Sequence, residues 1–203
     1  MKNRNNPMKM IVLLVTAVIC LAATQLVMAQ SSLSYRLAIG QDVYIKVSGS
    51  SNVHDWSMMS TVMESKGEFT GNGENITAVH AFSFQLAVKS LKSEHATMDS
   101  RMCKSVNESK YPTIIYKLTS ATVTPGAKGK FLIVSKGELT MAGVTQRISL
   151  DVTAMPNFNN SITISGAKKI KLTDYGIKPP SYMLGTMKVY NDLTIEFNLI
   201  YKK

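Results

Sequence analysis

From Asp42 to the end of the chain, apolar residues return at every second position in one segment after another. Val43, Ile45 and Val47 alternate with Asp42, Tyr44 and Lys46. Phe82, Phe84, Leu86 and Val88 share one face of "HAFSFQLAVK", a face that the alternation extends back to His80. The same rhythm runs through Ile114, Tyr116 and Leu118, then Ile148, Leu150, Val152 and Ala154, then Ile162 and Ile164, and finally Leu193, Ile195, Phe197 and Leu199. Period two is the signature of half-buried strands, since successive side chains of a strand point to opposite faces. "GNGEN", "TPGAKGK", "MPNFNN" and "KPPS" separate the runs with turn-forming residues. One segment departs: Met98, Met102 and Val106 recur at helical spacing. It predicts a helix over about residues 97–108, with Thr97 as N-cap and Tyr111-Pro112 ending the connection. No helix–strand rhythm is present, so a parallel sheet is disfavoured. The expected fold is all-β: an antiparallel barrel of about eight strands, closed to hide its edges, with one inserted helix. A two-sheet sandwich has the same periodicity.

The first residues follow a different logic. Lys2, Arg4 and Lys9 precede an apolar run from Met10 to Ala29 that ends in Val27-Met28-Ala29. That order predicts a secretory signal peptide, residues 1–29, cleaved near Ala29, and a periplasmic or secreted domain over residues 30–203. A retained anchor is the competing reading, because the run is long enough to span a bilayer. Lipid attachment at Cys20 is a third, opposed by the bulky Ile19 before it. Cleavage leaves a domain with a full core and no stable membrane span, and lowers the net charge from +10 to about +7. The remaining lysines, such as Lys92, Lys130 and Lys168, are scattered, without aromatic interleaving or zinc spacing, so nucleic acid is not an expected partner. Only Cys103 remains, which excludes an intrachain disulfide.

Chemistry-bearing motifs are scarce. "GSSNVHDWSMM" holds the only Trp, Trp56, beside His54 and Asp55. Neighbours on a strand point to opposite faces, so His54 and Asp55 do not form a dyad without a bulge. G-x-S-x-G, G-x-G-x-x-G and P-loop motifs are absent. His54, His80 and His95 lie on separate segments without metal-pair spacing. The expectation is therefore no catalytic residue, no metal and no cofactor. Trp56, Met58 and Val62 on one side and Met59 and Met63 on the other give this region two apolar faces. A helix, an apolar ligand or a second subunit has to cover the surplus. Nine of the 13 Met residues lie beyond the signal segment, which suits either core filling or contact with irregular apolar shapes.

"SLKSEHATMDSRMCKSVNESKYPTIIYKLTSATV" resembles the centre of the YceI-like family, with Ser90-Leu91, Met98-Asp99 and Tyr111-Pro112-Thr113-Ile114 at the matching steps. "GELTMAGVTQRISLDV" is similar to the family's hairpin, and "KLTDYGIKPP" with "KVYNDLTIEFNLI" to its closing section. The likeness runs from about Asp42 to Tyr201; "GSSNVHDW" looks like a branch variant of the first hairpin. The resemblance implies a periplasmic or secreted lipocalin-like barrel. Its lumen would take a long amphiphilic lipid, such as a polyisoprenoid or quinone-like molecule, with the helix near the mouth. A homodimer is compatible with it.

On that reading the candidate lumen wall is Trp56, Phe82, Phe84, Leu86, Tyr116 and Leu118, with Met98 and Met102 from the helix. Phe84 and Leu86 swap faces if the register slips by one. His54 and Asp55 are rim candidates, and Lys89 or Arg101 are candidates to meet a phosphate head. The leading functional expectation is non-catalytic lipid binding, for carriage or storage. Two others compete: a secreted interaction domain with a packed core, acting through its surface or dimer face, and a metal- or haem-dependent enzyme using His54 and Asp55.

Overall fold

The alternating segments pair into one antiparallel sheet that closes on itself. The computed structural model describes residues 32–40, 42–71 and 74–203; the expected signal segment lies outside the described residues. The strands are β1 (Ser32–Leu37), β2 (Tyr44–Ser51), β3 (Asp55–Ser60), β4 (Glu64–Gly71), β5 (Ile76–Ala87), β6 (Thr113–Pro125), β7 (Phe131–Met141), β8 (Val144–Pro156), β9 (Ser161–Lys171), β10 (Ser181–Tyr182) and β11 (Met187–Lys202), with helix α1 (Ala96–Ser105) between β5 and β6. The order β1-β4-β5-β6-β7-β8-β9-β11 returns to β1 through Leu37↔Tyr201 and Arg36↔Lys202, giving an eight-stranded barrel.

The remaining strands complete the barrel along its length. β2 continues β1 after a break at residues 38–43 and pairs with β11 from Ser51↔Val189 to Tyr44↔Asn198. β3 leads into β4 in the same way, and its Met59 pairs with Lys92 just beyond β5. One long, bent hairpin thus supplies two barrel staves. Each break relieves the twist that an unbroken strand would accumulate.

At the end nearest the β4–β5, β6–β7 and β8–β9 turns, aromatic rings fill the interior. Phe69 meets Tyr35 edge-on at 5.4 Å between centroids and Tyr201 at 5.9 Å, and Phe82 lies 5.7 Å from Tyr201. Tyr201 is 0% exposed. Its hydroxyl donates to Ser65 Oγ at 2.6 Å, and Ser65 Oγ in turn donates to the Ser83 carbonyl at 2.7 Å. This end is a solid floor.

The opposite end holds α1 and the β2–β3, β7–β8 and β10–β11 connections. α1 spans Ala96–Ser105 rather than residues 97–108, and its N-cap is His95, not Thr97, with no side-chain cap bond. Asp99 does the anchoring instead: it accepts from Ser93 N at 2.8 Å and Ser93 Oγ at 2.7 Å, with Lys92 Nζ at 3.6 Å. The helix stops where Asn107 turns left-handed (φ 52), a conformation that Asn tolerates.

One strand face differs from the alternation. A bulge facing Glu68 and Phe69 moves the pairing from Ala81 to Val79, so His80 leaves the face of Phe82 and is exposed. Its Nε2 lies 2.6 Å from Thr70 Oγ1. The sequence carries no mark of such an extra residue.

Candidate functional site

Inward residues of β2, β4 to β9 and β11 surround an inner cavity of about 130 Å³ above the floor. A larger cavity of about 320 Å³ lies between the barrel end and α1. Val47, Ile114, Leu139 and Ile195 border both, so the two cavities adjoin across this ring of side chains. On β11 the lining runs from Met187 to Leu199. At roughly 3.3 Å per residue and a tilt of about 40°, the two cavities together extend over roughly 30 Å.

The inner cavity is almost wholly apolar. Tyr116 contributes a hydroxyl 3.4 Å from Ser135 Oγ, which itself donates to the Leu150 carbonyl at 3.0 Å. Burial pushes the Tyr116 phenol above its ordinary range, with the Ser135 contact working the other way. The Tyr116 ring lies against Gly137, where an added Cβ would stand 2.5 Å from its Cζ. A larger residue there would push the ring into the lumen.

Chemistry changes at the outer cavity. Met58, Met98, Met102, Met141 and Met187 line it, whereas the inner cavity has no Met in its wall. The Met surplus is thus concentrated where a thioether chain can conform to varied shapes. Ser51, His54, His95, Thr97, Arg101, Ser105 and Tyr182 bring polar atoms to the mouth. Arg101 stacks on the Tyr182 ring at 4.4 Å, joining α1 to β10 across the opening. Trp56 lies over Gly49, where a Cβ would stand 2.4 Å from Cζ2. Its Nε1 is buried without a hydrogen-bond partner, a costly state for an N–H unless something else accepts from it.

All eight wall candidates border this lumen: Phe82, Phe84, Leu86, Tyr116 and Leu118 the inner part, Trp56, Met98 and Met102 the outer. Phe84 and Leu86 face inward in the observed register. Of the rim candidates, His54 borders the outer cavity and Asp55 is exposed and outside its lining. His54 Nδ1 is 2.9 Å from the Asp55 backbone carbonyl, so the pair makes no side-chain dyad. The turn is capped by Ser51, whose Oγ accepts from the N–H of Val53 and of His54 and donates to the His54 carbonyl. Among the described residues, no group of three or more His, Cys, Asp and Glu is placed to hold a metal ion. Arg101 stands at the mouth; Lys89 is exposed and does not border either cavity.

Sequence reasoning missed Lys168. It sits between Ile164 and Ile170 on the inward face of β9 and lines the inner cavity while half-exposed. The β8–β9 ladder ends at Val152↔Gly166, which leaves the wall open beside it. A long aliphatic stem suits that seam, because its methylenes cover apolar wall while the ammonium stays near water.

The YceI-like domain model matches residues 27–201. A comparison with curated protein sequences returned no match. Among solved structures, the fold is similar to a polyisoprenoid binding domain from Saccharophagus degradans implicated in plant cell wall breakdown, at 14% identity and TM-score 0.61 over 83% of this chain and 97% of that one. It is also similar to BcnA of Burkholderia cenocepacia, at 18% identity and TM-score 0.59 over 77% and 95%. A Campylobacter jejuni YCEI protein aligns at 16% identity and TM-score 0.51 over 68% and 81%. With an eight-stranded barrel, an inserted helix and a domain match over nearly all of its described length, this chain belongs to the YceI-like family.

Proposed function

We propose that the protein binds a long amphiphilic lipid, polyisoprenoid or quinone-like, in its lumen without transforming it, acting in the periplasm or outside the cell after loss of residues 1–29. The observation that carries this reading is the pair of adjoining cavities: a closed barrel with a solid aromatic floor, a nearly apolar inner part and most of the polar side chains toward the mouth. A tail would lie along Phe82, Phe84, Leu86, Tyr116 and Leu118, each Å² of apolar surface removed from water contributing about 25 cal/mol. The head would stay among His95, Thr97 and Arg101, where the Trp56 Nε1–H lacks an acceptor. Membership of a family that includes a polyisoprenoid binding domain supports the lipid class.

Trp56 provides the test, because the only indole of the chain lines the outer cavity. Delipidated protein titrated with a polyprenol is expected to show a saturable change in Trp emission, and the Ile195→Trp variant, measured by extraction of retained lipid, is expected to hold no long polyprenol. Emission that stays flat, with no lipid retained by the unaltered protein, would leave the interaction-domain reading in its place.

A further inference from the structure

Beside the mouth, the chain displays apolar side chains that the barrel does not use. Met183 and Leu184 form the tip of the β10–β11 connection; Met183 is 68% exposed and Leu184 fully so. Both hold positive φ, 53° and 55°, ahead of Gly185 at 93°. Two consecutive non-glycine residues in the left-handed region persist only where surrounding contacts fix them.

Those contacts are present and polar. Thr186 Oγ1 donates to the Met183 carbonyl at 2.8 Å. Asn52 Nδ2 donates to the Thr186 carbonyl at 2.8 Å, Lys188 N donates to Asn52 Oδ1 at 2.7 Å, and Asn52 N donates to the Lys188 carbonyl at 3.1 Å. Asn52 thereby fastens the tip to the β2–β3 turn, where Val53 adds a third apolar side chain, 60% exposed. The tip adjoins the opening itself: Pro180, Tyr182 and Met187 on either side of it line the outer cavity. Cations accompany it. Lys188 is exposed opposite Ser181, Lys178 is exposed just before β10, and Arg101 lies on the Tyr182 ring. The exposed carboxylates of this end include Asp55 in the β2–β3 hairpin, Glu94 ahead of α1, and Asp174 and Asp192 by the end of β9.

We propose that this tip is a membrane-docking device: Val53, Met183 and Leu184 enter the interface of an anionic bilayer while Lys178, Lys188 and Arg101 meet its headgroups, setting the lumen mouth against the membrane. Apolar side chains rimmed by cations are the combination that interfacial binding requires, burial and charge attraction acting together. A second copy is the weaker occupant, because three side chains at loop tips fall far short of the roughly 800 Å² per partner of a specific interface. The idea gains meaning from lipid binding in the lumen but does not depend on it, and the two fail separately.

The test is co-sedimentation of the purified protein with vesicles of phosphatidylglycerol and phosphatidylethanolamine, compared with phosphatidylcholine alone. Binding is expected to the anionic vesicles, weakened at least tenfold by Leu184→Asp, and weakened in high salt. Phe158→Ser, an exposed aromatic at the floor end, is expected to bind like the unaltered protein. Each variant is checked for an unchanged melting temperature. If Leu184→Asp proves unfolded, Met183→Ser combined with Lys188→Glu takes its place. Equal binding by tip and floor variants, or no binding to anionic vesicles, overturns the proposal. So does tip-dependent self-association in sedimentation velocity without vesicle binding. Lipid retained in the lumen of a tip variant that no longer binds vesicles separates this inference from the binding reading.

Discussion

At the residue scale, one aromatic–glycine contact and two tyrosines make definite demands. Gly49→Ala places a methyl inside the space of the Trp56 ring. The indole must move into the outer cavity, so the variant is expected to lose about 1–3 kcal/mol of stability and to bind lipid less tightly, measured by denaturant unfolding and by titration. Tyr175 and Tyr201 are both buried, but only Tyr201 has a partner for its hydroxyl. Tyr175→Phe removes an unsatisfied group and is expected to be neutral or stabilising, whereas Tyr201→Phe should cost about 1 kcal/mol for the lost hydrogen bond. Burial, and to a lesser degree the Asp174 charge, raises the Tyr175 phenol from 10.0 to about 12. Its folded value exceeds the unfolded one, so its contribution is complete below pH 10 and is lost as pH rises toward 12. Phenolate absorbance followed with unfolding should show that order. Trp56 stood out in the sequence for its rarity, but nothing there indicated that its N–H would be left without an acceptor. That depends on what lies across the barrel, which one strand's pattern does not encode.

At the element scale, the helix and its tethers decide how the mouth opens. The Asp99 anchor is opposed by desolvation, yet the hydrogen bonds from Ser93 and the Lys92 charge hold the carboxyl below its ordinary 3.8. A depressed folded value means the anchor is complete above pH 3.8 and weakens as pH falls below it. Amide exchange across Ala96–Ser105, corrected for intrinsic rates, should accelerate in acid, and Asp99→Asn should show the same acceleration at neutral pH. Arg101→Ala removes the stack on Tyr182 and is expected to speed exchange in both α1 and the β10 segment. The helix was legible from Met98, Met102 and Val106, because spacing survives whatever the helix packs on. Its start was not: Thr97 has the chemistry of an N-cap, but the anchoring acceptor comes from Asp99 reaching back to Ser93. His80 shows the same limit in a strand, since one bulged residue inverted its face without altering composition. The stretch "GELTMAGVTQRISLDV" resembled a hairpin, and the structure puts its turn at Ala142 and Gly143, both at positive φ, 50° and 79°. The Tyr111 ring also lies where a Gly143 Cβ would be.

At the scale of the whole molecule, the alternation determined most of the architecture. It gave strands with one buried face each, and closing them conceals most of their edges. Whether the interior would be packed or hollow was beyond it, because a core and a lumen wall present the same alternating residues. The difference lies in three-dimensional filling: rings of Phe69, Tyr201 and Phe82 occupy the floor, while Val47, Ile114, Leu139 and Ile195 stand between an inner and an outer cavity. Ile195→Trp should divide the lumen there, so that a long lipid is excluded and a short one still enters the outer part, as read by competition between the two. The central claim, occupancy of this lumen by a lipid, is tested most directly by native mass spectrometry of the protein purified from its own cells. The expected spectrum shows a folded species heavier than the polypeptide by the mass of a lipid, the excess disappearing on unfolding. A folded protein with the polypeptide mass alone, which also fails to take up polyprenol when it is offered, would contradict it.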